Sequence, residues 1–138
     1  MNASTNSKNT VLITGATYGI GYELARVFAE SGSDLILVAR TQAKLDELKL
    51  EFSRQYPIRC EVIAADLTLP ADLDHICQSL ADRRIDVLVN NAGFGDWGFF
   101  HERDWQKNSD MIDLNVKALT KLTHFFLPAM VRVQWKLQ

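Results

Sequence analysis

The residues Thr14-Gly15-Ala16-Thr17-Tyr18-Gly19-Ile20-Gly21 form a glycine-rich turn between the apolar run Val11-Leu12-Ile13 and an amphipathic segment. A strand, a tight turn and a helix start, in that order, make a place for a pyrophosphate. The glycines let the backbone approach the phosphate oxygens, and the unpaired N–H groups and dipole of the new helix favour negative charge. That context separates the pattern from incidental glycines in a βα turn. Three further groups have chemistry to offer: the Arg40 guanidinium, the Asp66 carboxylate and the side-chain amides of Asn90 and Asn91.

The periodicities predict the elements that must position them. Residues 11–14 read as a strand, and residues 20–31 as a helix with Ile20, Leu24, Val27 and Phe28 on one stripe. Gly32 stands where a C-cap belongs. The continuous apolar run Leu35-Ile36-Leu37-Val38, within 34–39, reads as a strand buried on both faces. Thr41 is placed to cap a helix over 41–55, which Pro57 ends. A third strand over 58–64, a helix carrying Leu73, Ile76, Cys77 and Leu80, and a fourth strand over 86–90 follow. Two helices are then expected, over 104–113 and 115–131.

Strands alternating with helices imply right-handed crossovers and an α/β Rossmann-type doubly wound parallel sheet, truncated at strand order 3-2-1-4. Its crevice lies at the carboxyl ends of the first and fourth strands. The glycine turn, Arg40, Asp66 and the Asn90 region then share one edge. One domain over 10–132 is expected, between a polar tail over 1–9 and a tail over 133–138.

Composition fits that size. A chain near 150 residues buries roughly 68–70% of its unfolded surface, enough for a core. The net charge of −2 carries no nucleic-acid signature. Cys60 and Cys77 lack CxxC or metal-like spacing and read as buried or partly buried thiols of a reducing compartment, with a disulfide between them as the alternative. His75, His101 and His124 lack ligand spacing, so no metal is expected. The start is polar, without the apolar core of a signal peptide, and no apolar run reaches membrane-span length. The Asn2-Ala3-Ser4 sequon then has no meaning, and a cytoplasmic protein is expected.

With these residues on one edge, the chain resembles the short-chain dehydrogenase/reductase family, in its general bacterial branches. The family's Thr-Gly-xxx-Gly-x-Gly matches Thr14 to Gly21, its Asn-Asn-Ala-Gly matches Asn90-Asn91-Ala92-Gly93, its Asp-aliphatic pair matches Asp66-Leu67, and its helix Asn matches Asn115. The resemblance implies that Gly15, Thr17, Tyr18, Gly19, Ile20 and Gly21 wrap a pyrophosphate. Asp66 would accept from the adenine amino group, with Leu67 contributing its backbone. Asn90, Ala92 and Gly93 would pass under the adenosine ribose, with Asn91 pinning the central strands. Taken alone, Asp66 reads first as a turn or N-cap aspartate, and its spacing to the other motifs is what favours the cofactor role.

Cofactor choice depends on the end of the second strand. An acidic residue there would bond both ribose hydroxyls of NAD, whereas this chain has Ala39 followed by Arg40. A guanidinium can pair with a 2′-phosphate and stack on adenine, so NADP is expected over NAD. Tyr18 stands where NADP-preferring relatives often carry a basic or small residue, so that second support is missing.

The resemblance also implies hydride transfer between nicotinamide and a ketone or secondary alcohol, assisted by Ser, Tyr and Lys, with Asn115 supporting a relay water. Only Asn115 is present: Tyr18, Tyr22 and Tyr56 have Tyr22, Arg26 and Cys60 four residues on. The segment from Val133 does not read as the next strand, and a frameshift or early stop near Val133 is the expectation. The fourth strand would then be an open edge, and the helix with Leu119, Leu122, Phe125, Phe126 and Met130 a candidate homo-oligomer face. A marginally stable monomer is expected. The residues Phe94, Trp97, Phe99 and Phe100 either line an apolar substrate pocket or pack on the next helix. The functional expectations are an oxidoreductase fragment inactive by itself, a non-catalytic NADP(H)-binding module, or an inert product. A methyltransferase is the weakest, because it has no role for Asn90-Asn91-Ala92-Gly93.

Overall fold

The computed structural model describes residues 8–136. The sequon, most of the expected polar tail, and positions 137 and 138 of the expected C-terminal tail lie outside the described residues. The elements run β1 (Thr10–Thr14), α1 (Gly19–Glu30), β2 (Asp34–Ala39), α2 (Gln42–Gln55), β3 (Cys60–Ala64), α3 (Pro70–Ser79) and β4 (Val87–Val89). A short 3₁₀ turn (Phe100–Glu102) then precedes α4 (Trp105–Ile112), a π-helical turn (Asp113–Ala118) and α5 (Leu119–Lys136).

All pairings are parallel, and the strand order is β3-β2-β1-β4, as the alternation predicts. The inner strands are apolar at nearly every position because both faces are covered. Their side chains alternate between two cores. Val11, Ile13, Leu35 and Leu37 pack with Ala25, Ala29, Leu45, Leu48 and Phe52 of α1 and α2. Leu12, Ile36 and Val38 pack with Leu73, Ile76, Leu122 and Phe126 of α3 and α5. β4 pairs with β1 alone, and among the described residues nothing pairs with its outer edge.

Three local expectations are corrected. The two expected helices over 104–113 and 115–131 are one continuous helical run from Trp105 to Lys136, because a π turn absorbs the break in periodicity. Thr41 occupies the N-cap of α2, but its hydroxyl makes no capping hydrogen bond. The third and fourth strands are shorter than expected. The Arg59 N–H is taken by the Asp34 carboxylate at 2.8 Å, so pairing in β3 begins at Cys60.

Candidate functional site

The carboxyl end of β1 turns sharply at Gly15, whose N–H donates to the Val38 carbonyl at 2.9 Å. Two glycines of the turn are fixed by close approach. A Cβ on Gly21 would lie 2.2 Å from the Gly15 carbonyl oxygen, and one on Gly15 would lie 2.9 Å from Ala92 Cα. Gly19 differs: its φ is +60°, and a Cβ there would meet nothing within 4 Å. It opens α1 onto free space. Tyr18 caps that helix without a side-chain bond, and the first turn contains no acidic residue. The N–H groups of that turn have no intrahelical acceptors, so the cradle is positively polarised, and it is open at Gly19. An open space at Gly19 beside a positively polarised helix start fits a pyrophosphate.

The cradle is fastened to β4 from below. Thr14 Oγ1 accepts from the Asn91 and Ala92 N–H groups at 3.1 and 3.0 Å. Asn91 Nδ2 donates to the Thr14 and Gly15 carbonyls at 3.1 and 3.0 Å. The Asn91 amide thus joins the ends of two strands, as its expected pinning role requires. Asn90 points to the other face and donates to Thr123 Oγ1 on α5 at 3.0 Å.

Asp66 follows β3. Its Oδ1 accepts from the Thr68 N–H and hydroxyl at 3.0 and 2.7 Å, while its own N–H donates to Asp72 Oδ2 at 2.7 Å. The turn role is therefore present, and Asp66 Oδ2 accepts from no protein group among the described residues. Leu67 is buried behind it. Arg40 is exposed directly after β2 and forms no ion pair among the described residues.

Asn115 lies in the π turn. Its Oδ1 accepts from the Phe94 N–H at 3.0 Å, and its Nδ2 donates to the Phe94 carbonyl at 2.8 Å. A Cβ on Gly93 would sit 2.9 Å from that Oδ1, so the amide closes tightly on the segment leaving β4. Beyond it, Trp97 is 97% exposed, and Phe99 and Phe100 are also largely uncovered. These rings form no closed pocket and do not pack into a core. Arg103 braces their loop by donating to the Asp96 carbonyl.

The structure brings the glycine turn and Asn90 to Gly93 into direct contact and places Arg40 and Asp66 after the neighbouring strands. Sequence reasoning missed Thr14 as the shared acceptor, Asp72 and Thr123 as supports, and the ring that Asn115 makes with Phe94. Only the Thr at the end of β1, inside the glycine motif, offered a signal. Among the described residues, no three His, Cys, Asp or Glu side chains cluster as metal ligands, and no helix is long and apolar enough to cross a membrane.

Known proteins share this arrangement. The chain is 36% identical over 125 residues to the very-long-chain 3-oxoacyl-CoA reductase of Anas platyrhynchos, covering 87% of this chain and 40% of that protein. A short-chain dehydrogenase from Sphingobium yanoikuyae, solved in complex with NADPH, superposes with a TM-score of 0.87 at 41% identity, over 91% of this chain and 49% of that one. The L-sorbose reductase from Gluconobacter frateurii, complexed with NADPH and L-sorbose, gives a TM-score of 0.84 at 31% identity, over 90% and 48%. The chain spans two-fifths to one-half of the length of these relatives. The family model for short chain dehydrogenases matches residues 9–135, which contain the glycine cradle, its Asn91 fastening and the Asn115 clamp. On that match the chain belongs to the short-chain dehydrogenase family.

Proposed function

We propose that this chain is the NADP-binding portion of an oxidoreductase acting on a ketone or secondary alcohol, and that these 138 residues bind cofactor without turning over substrate. The observation that carries the binding reading is the open cradle at Gly19, set between two close-packed glycines at the start of α1. When bound, the nicotinamide supplies a hydride donor or acceptor. This chain's residues hold and orient. The α1 N–H groups receive the pyrophosphate, Asp66 has a carboxylate oxygen for the adenine amino group, and the exposed Arg40 guanidinium pairs with the 2′-phosphate.

The same arrangement supports binding without catalysis. All three tyrosines lie on or beside the α1–α2 layer, whereas Asn115 lies on the helical run across the sheet. The Tyr22 hydroxyl donates to Glu51 at 2.5 Å, and that carboxylate raises its pKa above the ordinary phenol value. Tyr22 is therefore a poor proton donor to a substrate. Asn115 acts here as a clamp on Phe94. The buried, unpaired Cys60 and Cys77 support a reducing, cytoplasmic setting. The exposed apolar side chains of α5 support association with a second copy.

Thermal unfolding with and without NADP tests the reading. At a hundred times its Kd, a ligand that binds only the folded state stabilises it by about 2.7 kcal/mol. A rise in Tm of several degrees is the expected result. An unmoved Tm at millimolar NADP and millimolar NAD overturns it.

A further inference from the structure

We infer that the outer edge of β4 joins two copies of the 138-residue chain, strand to antiparallel strand, about a twofold axis at Leu88. The inference gives a strand register to the association of copies and is independent of the cofactor reading. Among the described residues nothing pairs with that edge. The Val89 carbonyl faces β1, where the Thr14 hydroxyl donates to it at 3.4 Å. Val87 and Val89 therefore bond toward β1, and Leu88 between them turns its N–H and C=O outward. Two residues from Leu88 on either side, the Asp86 carbonyl and the Asn90 N–H have no partner among the described residues.

This edge is complementary to itself. With the axis at Leu88, the two Leu88 residues exchange both backbone hydrogen bonds, and each Asn90 N–H meets the Asp86 carbonyl of the second copy. The three strand side chains are half-buried, Leu88 against one core and Val87 and Val89 against the other. Across the axis Leu88 meets Leu88 and Val87 meets Val89, apolar pairs on matching faces. Charge permits the pairing: Asp86 falls opposite Asn90, and its carboxylate is already held by Arg84 at 2.6 Å and by the Thr10 N–H at 2.9 Å. The other edge strand is different. β3 carries Glu61, bound by Arg83 at 2.8 Å, and a charge of that kind keeps edges apart, whereas β4 offers only Val, Leu and Val.

α5 extends the contact. Thr123 binds Asn90 at the end of β4, whereas Lys121 pairs with Asp74 of α3. Leu119 and Leu127, one turn to either side of Thr123, share its side of the helix and lie beside the open edge, about half exposed. The axis stands normal to the sheet, so the two α5 helices come together on the face that holds Leu88. That side of α5 is uncharged, and Lys117 and Lys121 are paired with Asp113 and Asp74. A contact made by the same patch on both copies closes at two.

Light scattering, cross-linking and amide exchange test this. The mass of the wild-type chain should double with rising concentration and go no further. The facing Leu88 residues have Cα atoms about 5.5 Å apart, within disulfide reach. With oxidised glutathione, Leu88→Cys should become a covalent dimer, and Ser53→Cys, exposed on α2, should not. Cys60 and Cys77 are buried and take no part. In the wild-type chain, exchange of the Leu88 and Asn90 amides should slow with concentration more than that of Val87 and Val89, which needs no variant to fold. A chain that stays monomeric overturns the edge contact and the association through α5 together. A dimer in which Leu88→Cys cross-links no more than Ser53→Cys, with Leu88 and Asn90 exchange unchanged, overturns the edge contact alone. Neither result touches NADP binding.

Discussion

Thr14 and Asn91 hold each other in both directions: the Asn91 backbone N–H donates to Thr14 Oγ1, and Asn91 Nδ2 donates to the Thr14 carbonyl, each at 3.1 Å. The two residues end neighbouring parallel strands, at the point where both chains must leave the sheet. Regular ladder bonds stop there, so the side chains take over the pairing. The same Nδ2 reaches Gly15 and holds down the floor of the cradle.

Asn91→Ala therefore leaves two carbonyls short of a donor and loosens the turn. A loss of about 2–3 kcal/mol is expected. Asn91→Asp is expected to be worse, because a carboxylate cannot donate and sets a negative charge against both oxygens. Urea unfolding checks both, and a midpoint unchanged by Asn91→Ala would remove the pin from this account.

The strand order was legible because each inner strand is a continuous apolar run, which only a sheet covered on both faces requires. The glycine and asparagine motifs were legible because their spacing fixes a turn against a neighbouring strand. The π turn was not, since one additional residue per turn breaks the helical stripe much as a loop would. Thr41 has the right type and position for a cap and makes no capping bond.

Two glycine substitutions should separate folding from binding. Gly21→Ala drives a methyl group to 2.2 Å from a backbone oxygen that the Asn91 network holds in place. It should cost about 2–3 kcal/mol of stability. Gly19→Ala meets no atom within 4 Å, so only its left-handed φ opposes it, at about 1–2 kcal/mol. Its methyl group projects into the cradle, and NADP binding should be lost from a protein that still folds. Parallel urea and NADP titrations check this. The converse pattern would move the phosphate site elsewhere.

Burial pushes the Cys60 thiol up from 9.0 to about 11, and burial also raises Cys77. A folded-state pKa above the unfolded one means that folding favours the protonated thiol. That stability is complete below pH 9 and is lost as pH rises from 9 toward 11. The urea midpoint should fall across that window, with a shallower fall in Cys60→Ala. At neutral pH neither thiol should react with a disulfide reagent until the chain unfolds, because the reactive thiolate is scarce and covered.

The helical run after β4 carries two apolar stripes. Ala118, Leu122 and Phe126 are buried against the sheet and α3, whereas Val116, Leu119, Leu127 and Val131 are about half exposed, outside that core. Covering that outer stripe removes apolar area from water at about 25 cal/mol per Å². Concentration-dependent association is the expected outcome. Charges placed on it by Leu119→Glu with Leu127→Lys should yield a monomer that melts no lower, because neither side chain contributes to the buried core. Light scattering across a hundredfold range of concentration checks both halves. A wild-type chain that stays monomeric throughout removes this stripe as a contact between copies, and a double variant that still associates moves the contact to the unpaired edge of β4.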